Sequence, residues 1–310
     1  MQTILGSSGV IGMQLADFLQ GYTNKVRLVS RFPRQVTGKE ELMTGDLLKR
    51  KDVMRAVKGS EIVYLTVGLK YNHRVWKRDW PIIMQNVIDA CKTHEAKLVF
   101  FDNVYMYGKV KNWMMESSPF NPCSKKGEIR AKVATMLLDE MNRGNLTALI
   151  ARAPDFYGPG TMNSYLSQLV FTRLMKRQKP QVLISTGFRH SFIYTIDAAQ
   201  GTALLGNTPS AYMQTWHLPT DHRVPFIGEI VNYAKEELMR KVKTSVLPLW
   251  QLKLAGNFIP QIGETIEMMY QYDRDYLFDS GRFLAEFRYI PTTYENGVKN
   301  TMSAFRFKEF

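Results

Sequence analysis

The chemistry most plainly written in this chain is phosphate binding. The run Gly6-Ser7-Ser8-Gly9-Val10-Ile11-Gly12 follows a short apolar stretch and opens an amphipathic one. A glycine at the first position lets the backbone turn tightly toward a pyrophosphate, and one at the last lets helix and strand pack closely. The helix start then offers unpaired N–H groups and a partial positive charge to the phosphates. All seven residues are candidate contacts to a dinucleotide. The next apolar run, 26–30, ends in Arg31-Phe32-Pro33-Arg34. A carboxylate at that point would take the free ribose hydroxyls of NAD, whereas arginine accommodates a 2′-phosphate. Here a serine precedes two arginines, whose guanidinium forks suit phosphate. Arg31 and Arg34 therefore point to NADP rather than NAD, the plain alternative being that they solvate a loop.

Other chemistry is thinner. The formal charge is +13, from 41 Lys and Arg against 28 Asp and Glu, which suggests an anionic partner. The cations are scattered at 49–51, 125–126, 176–179 and 240–243, with no dense basic arm or aromatic-interleaved basic stretch, so no nucleic-acid partner is expected. Residues 71–80 crowd aromatics and cations together; they suit an anionic or ring-bearing substrate, or equally a loop anchoring its rings in the core. His190, His217 and His222 are isolated, and no Cys or His cluster has metal-ligand spacing, so no metal is expected. Two cysteines, Cys91 and Cys123, give no disulfide framework and fit a reducing cytoplasm.

Elements that could position the glycine turn alternate along the first half. Strand candidates at 3–5, 26–30, 41–44, 62–67, 97–101 and 146–152 are separated by helix candidates at 11–19, 51–57, 80–94 and 127–142. Near-continuous apolar strands suit a parallel sheet covered on both faces. The expected fold is α/β, a Rossmann doubly wound parallel sheet with a smaller C-terminal substrate domain. Residues 1–155 form the nucleotide-binding domain, with returns near 188–220; 156–187 and 221–310 form the smaller one. No signal peptide and no apolar run of membrane-spanning length is visible, so a cytoplasmic location without a membrane partner is expected.

With the glycine turn in hand, the chain resembles the NAD-dependent epimerase/dehydratase branch of the extended short-chain dehydrogenases/reductases (SDRs) over nearly its whole length. Gly45-Asp46-Leu47 resembles the family's adenine-contacting segment, and Val67-Gly68-Leu69 stands where the fourth strand meets the adenosine ribose. Asn86 lies where the family often has an asparagine in its long helix. Residues 102–108, DNVYMYG, resemble "SSxxVYG", and 152–160, RAPDFYGPG, resemble "RPxNVYGPG". Residues 189–197 resemble "RDFIHVDD", and 287–297 resemble the family's closing segment. The resemblance makes Asp46, Leu47, Val67, Gly68, Leu69, Pro154 and Asp155 candidate cofactor contacts. It also implies a small carbonyl or sugar-type substrate and a homodimer through helices 80–94 and 127–142.

The catalytic group departs from the family. Working SDRs pair a Ser or Thr with a Tyr-x-x-x-Lys on the next helix, the i, i+4 spacing setting both side chains on one face. The lysine holds the ribose and lowers the tyrosine pKa. Here the serine position is Asn103. Aligning 126–138 with "YGxxKxxxExLL" sets Lys126 at the tyrosine and Arg130 at the lysine; a second register uses Glu128 and Lys132. Neither contains a tyrosine. Arg130 could still contact ribose hydroxyls but stays protonated and cannot relay a proton. Asn103 as a neutral donor, Tyr105 or Tyr107 past the strand end, and Lys126 as acid or base are the substitutes. An NADP-dependent oxidoreductase or epimerase/dehydratase-like enzyme is thus expected; the alternative is a non-catalytic NADP-binding redox sensor.

Overall fold

Short strands that bury apolar side chains on both faces pair in parallel into one seven-stranded sheet in the computed structural model, which describes residues 1–306. In chain order these are β1 (Gln2–Leu5), β2 (Val26–Ser30), β3 (Glu41–Thr44), β4 (Ile62–Leu65), β5 (Lys97–Asp102), β6 (Ala148–Arg152) and β7 (Thr215–His217). The sheet order is β7-β6-β5-β4-β1-β2-β3. Every residue of β1, β4 and β6 is buried, while β3 at the edge is mostly exposed. Strand order reverses between β1 and β4, and ligands of open α/β sheets bind outside the carboxyl ends at such a point.

The helices between them are α1 (Val10–Leu19), α2 (Arg50–Val57), α3 (His73–Thr93) and α4 (Lys125–Asn142). Leu65, Leu98, Phe100 and Ile150 of the strands pack with Trp80, Met84, Val87, Val133 and Leu137 of α3 and α4 in one core. Each such side chain, fully buried, contributes about 1.5–3 kcal/mol.

Two element ends differ from the sequence reading. Helix α3 starts at His73, a full two turns before residue 80. Asn72 caps it, its side chain accepting from the N–H groups of Arg74 and Val75, and Trp76 and Trp80 are both buried one turn apart. Pro81 lies inside the helix. Strand β4 stops at Leu65; the Thr66 N–H still reaches Leu5 O at 2.9 Å, and Val67 lies across Gly6.

The chain divides into two compact units. The first holds residues 1–106, 125–153 and 198–218, and the second 107–124, 154–197 and 219–310. Residues 107–124 and 188–197 thus group with the second unit, because their strands pair there: Trp113–Met114 with Leu277–Phe278, and Phe192–Tyr194 with Asp155–Tyr157. A third short pair joins Gln181–Leu183 to Ser245–Leu247. The helices Ile227–Glu237 and Tyr294–Arg306 close a core of Val170, Phe171, Phe192, Ile230, Val298 and Phe305. Among the described residues no helix is long and apolar enough to cross a membrane.

Candidate nucleotide and active site

The glycine turn joins β1 to α1. Gly6 has φ +96°, and a Cβ there would lie 2.5 Å from the Cα and N of Val67. A Cβ at Gly12 would meet Gly6 O and Ser7 Cα, both at 2.9 Å. The Gly6 and Ser7 N–H groups both donate to Val29 O, and Gly9 N–H donates to Gly6 O at 3.1 Å. Gly9 is the N-cap of α1, so the N–H groups of Val10, Ile11 and Gly12 have no acceptor within the helix. The Ser7 hydroxyl is buried with no hydrogen-bond partner among the described residues. An unoccupied buried hydroxyl beside a row of free N–H groups fits a phosphate oxygen as acceptor.

Ser8 ties this turn to the end of β2. Its hydroxyl lies 2.7 Å from Ser30 Oγ and donates to Phe32 O at 2.8 Å. Arg31 and Arg34 follow, both exposed, and neither forms an ion pair among the described residues. The strand end that Ser8 holds is thus followed by two exposed arginines.

The adenine-side candidates are held by the backbone. Asp46 N–H donates to Asp52 Oδ2 and Asp46 Oδ1 accepts from Leu48 N–H, both at 3.1 Å. Asn86, from α3, donates its Nδ2 to Leu47 O at 2.9 Å, which fixes the β3–α2 loop to the long helix. Val67 and Leu69 pack partly against the first core, and Gly68 is exposed with open space where a Cβ would be.

At the end of β5, the Tyr105 N–H donates to Asn103 Oδ1 at 3.1 Å. This engages the Asn103 carbonyl, while its Nδ2 makes no hydrogen bond among the described residues and remains a neutral donor. Tyr105 is half-buried and stacks on Trp76, ring centroids 6.3 Å apart. On α4, Lys126 and Arg130 are buried and Glu128 and Lys132 exposed. The Lys126 Nζ lies 4.5 Å from the centre of the Tyr71 ring. Tyr71 itself packs edge-on against Trp76 at 5.7 Å. The aromatic stretch after β4 therefore does structural packing and also covers the Lys126 ammonium.

Arg130 is committed elsewhere. Its Nε donates to Asp102 Oδ1 at 2.9 Å, its Nη2 bonds the same oxygen, and its guanidinium carbon lies 4.2 Å from the Trp80 ring centre and 5.0 Å from that of Phe100. Asp102 Oδ2 is 3.8 Å from Arg152 Nε. All three charges are essentially inaccessible to water. Sequence reasoning missed this Arg130–Asp102–Arg152 cluster; the available signal was a charge closing each of two apolar runs, Asp102 after Leu98–Phe101 on β5 and Arg152 at the end of β6.

Tyr107, Pro154 and Asp155 belong to the second unit. Tyr107 is buried, its ring 6.2 Å from Phe120. Asp155 Oδ2 accepts from the Tyr272 hydroxyl at 2.8 Å and lies 3.2 Å from His190 Nε2, while His190 Nδ1 faces Gln271 O at 3.1 Å. His190, isolated in sequence, is thus buried against a half-buried Asp155 and stacked on Phe192 and Tyr272. His217 is buried in β7 and His222 is exposed. Asp197 accepts from Thr292 and Tyr289, and burial pushes its carboxyl above the ordinary range. Among the described residues no three His, Cys, Asp or Glu side chains gather as a metal site.

The whole chain is similar in fold to several solved structures. A dTDP-glucose 4,6-dehydratase of Streptomyces venezuelae with NAD bound is 14% identical, with a TM-score of 0.81 over 99% of this chain and 97% of its own. The UDP-glucose 4-epimerase of Thermus thermophilus, in complex with NAD, is 17% identical, with a TM-score of 0.79 over 99% of each chain. The UDP-glucuronic acid 4-epimerase of Bacillus cereus, also with NAD, is 14% identical at a TM-score of 0.80, again over 99% of each. No curated protein matches the sequence. Residues 3–214, well over half of the chain, match the NAD dependent epimerase/dehydratase family, and with the parallel sheet and glycine turn that these residues build, the chain belongs to that family of extended SDRs.

Proposed function

We propose that this chain binds NADP in the first unit and acts as an epimerase/dehydratase-like or oxidoreductase enzyme on a sugar-type or small carbonyl substrate. The observation that carries the reading is the glycine turn with its orphaned Ser7 hydroxyl, linked through Ser8 to a strand end bearing two unpaired arginines. Residues 6–12 would hold the pyrophosphate, Asp46 and Leu47 the adenine, and residues 67–69 the adenosine ribose. Pro154 and Asp155 remain candidates from the family motif. Arg31 and Arg34 would take the 2′-phosphate. A bound nicotinamide would supply reversible hydride acceptance.

The chain's own residues then have to bind and polarise a carbonyl. The burial of Lys126 and Arg130 and the exposure of Glu128 and Lys132 support the first register. Lys126 stands in for the family tyrosine: its ammonium can donate a proton or hydrogen bond to a substrate oxygen, and the Tyr71 ring limits its hydration. Asn103 Nδ2 is the second donor, in place of the family serine. Arg130 cannot play the family lysine's part with Nε and Nη2 held by Asp102; it fixes α4 to β5 so that Lys126 keeps its position.

Calorimetric titration tests the cofactor. Wild-type protein should bind NADP more tightly than NAD, and Arg31→Asp should lower NADP affinity by about ten- to a hundredfold while leaving NAD nearly unchanged. Equal losses for both nucleotides, or no preference in the wild type, would remove Arg31 from the site. UDP-glucose and dTDP-glucose, compounds in the neighbours' names, are the first substrates to try. On whichever is turned over, Lys126→Met should lower turnover by about a hundredfold or more with nucleotide affinity kept. Turnover within about threefold of wild type would exclude Lys126 as the proton donor.

A second reading, a non-catalytic NADP-binding redox sensor, is favoured by one observation: neither helix position carries a tyrosine and Arg130 is locked to Asp102. Tight nucleotide binding with no turnover of any sugar nucleotide would select it.

A further inference from the structure

Apolar side chains that belong in a core stand exposed on one part of the second unit. Helix Leu249–Gly256 buries only Leu252, and the following helix Pro260–Ile266 buries nothing. The two pack on each other at Gly256 and Gly263, where a Cβ on Gly263 would be 3.0 Å from Gly256 O. Trp250, Lys253 and Leu254 share a face of the first helix at i, i+3 and i+4, and Phe258 and Ile259 form the connection. Trp250 is 65% exposed, Leu254 56% and Phe258 80%. Met239, just upstream, is 87% exposed. An exposed apolar patch of this kind marks an interaction surface.

Charge decides what covers it. Residues 238–263 carry Arg240, Lys241, Lys243 and Lys253 and no acid. Among the flanking acids, Glu237 pairs with Arg306 at 3.2 Å and Glu264 and Glu267 are half-buried, while Glu236 is exposed beside Met239, Arg240 and Lys241, where the cations outnumber it. A second copy docking through the hairpin would bring Lys253 against its own image with no acid among residues 249–263 to meet it, which costs affinity. A surface of negative charge that also accepts Trp, Leu and Phe side chains has the complementary chemistry. A helix of eight residues rises about 12 Å, far short of the roughly 30 Å hydrocarbon layer, so the element can lie on a bilayer but not cross it.

We propose that the hairpin 249–266, with the basic segment before it, is a peripheral membrane contact for a lipid surface carrying anionic headgroups. The ring and aliphatic tips enter the headgroup region and the cations meet the lipid phosphates. Such a contact needs no membrane-spanning segment, and none is found among the described residues. It is independent of the nucleotide reading.

Co-sedimentation of the full chain with phosphatidylcholine vesicles, and with equal parts of phosphatidylcholine and phosphatidylglycerol, tests it. Binding is expected to the anionic vesicles only, to weaken with salt, and to fall about fivefold for each of Lys243→Gln and Lys253→Gln. Trp250→Ser with Phe258→Ser should lower it by about tenfold or more; both positions are exposed, so folding is kept and circular dichroism verifies it. Brominated acyl chains should quench wild-type fluorescence and quench Trp250→Phe less. Binding to neither vesicle type overturns the proposal. So does a concentration-dependent dimer in sedimentation velocity that the double variant abolishes without any vesicle binding, since that outcome makes the face a protein contact.

Discussion

Asp102→Asn is expected to destabilise the chain by about 3–5 kcal/mol, the cost of leaving a buried charge without its partner. The change keeps the shape of the side chain, removes its charge and turns one acceptor oxygen into an NH2 donor. Arg130 and Arg152, almost wholly buried, would then face each other across a neutral amide. The Arg130 guanidinium cannot turn to water, because Trp80 and Phe100 flank it within 5.0 Å. Urea unfolding followed by tryptophan fluorescence measures the loss. The double variant Asp102→Asn with Arg130→Met should recover part of it, since methionine fills the slot between the rings without a charge and a buried ion pair replaced by apolar groups is often nearly neutral. A single variant within about 1 kcal/mol of wild type would mean the cluster is compensated by water and does not lock α4 to β5.

The same cluster shows where sequence reading stops. Strands and helices are visible because their apolar period is local: β1 to β6 lie within two residues of their expected apolar runs, and α1, α2 and α4 begin within two residues of their expected starts. Helix α3 is masked by its own chemistry. The helix is expected to start at residue 80, and residues 71–80 read either as a contact for an anionic or ring-bearing substrate or equally as a loop anchoring its rings in the core. Only the Asn72 cap, and burial of Trp76 and Trp80 against the sheet, make that stretch helical. The parallel sheet and the glycine turn that opens it are legible because close backbone approach demands glycine at fixed spacing.

Long-range pairing is not legible. Asp102 and Arg130 are 28 residues apart, Asp155 and His190 35, and Asp155 and Tyr272 117. No period links them; only the β5–α4 and strand–strand packing brings each pair together. Arg130, aligned by spacing with a ribose-binding lysine, serves the interior instead because β5 ends in a carboxylate where the family pattern has a serine. The exposed hairpin after residue 248 carries no warning in its sequence, since Trp, Leu and Phe at helical spacing usually are buried. Its exposure is a tertiary fact.

Gly6→Ala is expected to remove nucleotide binding and to destabilise the first unit together. At φ +96° an alanine is strained, and its Cβ would fall 2.5 Å from two backbone atoms of Val67, which cannot move without parting β4 from β1. A loss of at least about 2–3 kcal/mol follows. Displacing the turn also withdraws the N–H groups of Val10, Ile11 and Gly12 from the phosphates, lowering nucleotide affinity by about a hundredfold or more. The neighbouring glycines grade the effect. Gly12→Ala meets contacts at 2.9 Å in helical backbone and should cost less, whereas Gly9→Ala has φ −77° and its nearest contact at 3.4 Å and should stay within about 1 kcal/mol of wild type. Urea midpoints and NADP titrations of the three variants would read both properties. If Gly9→Ala proved more damaging to stability than Gly6→Ala, steric closure against Val67 would not be what this turn requires, and the geometric case for its phosphate cradle would fail with it.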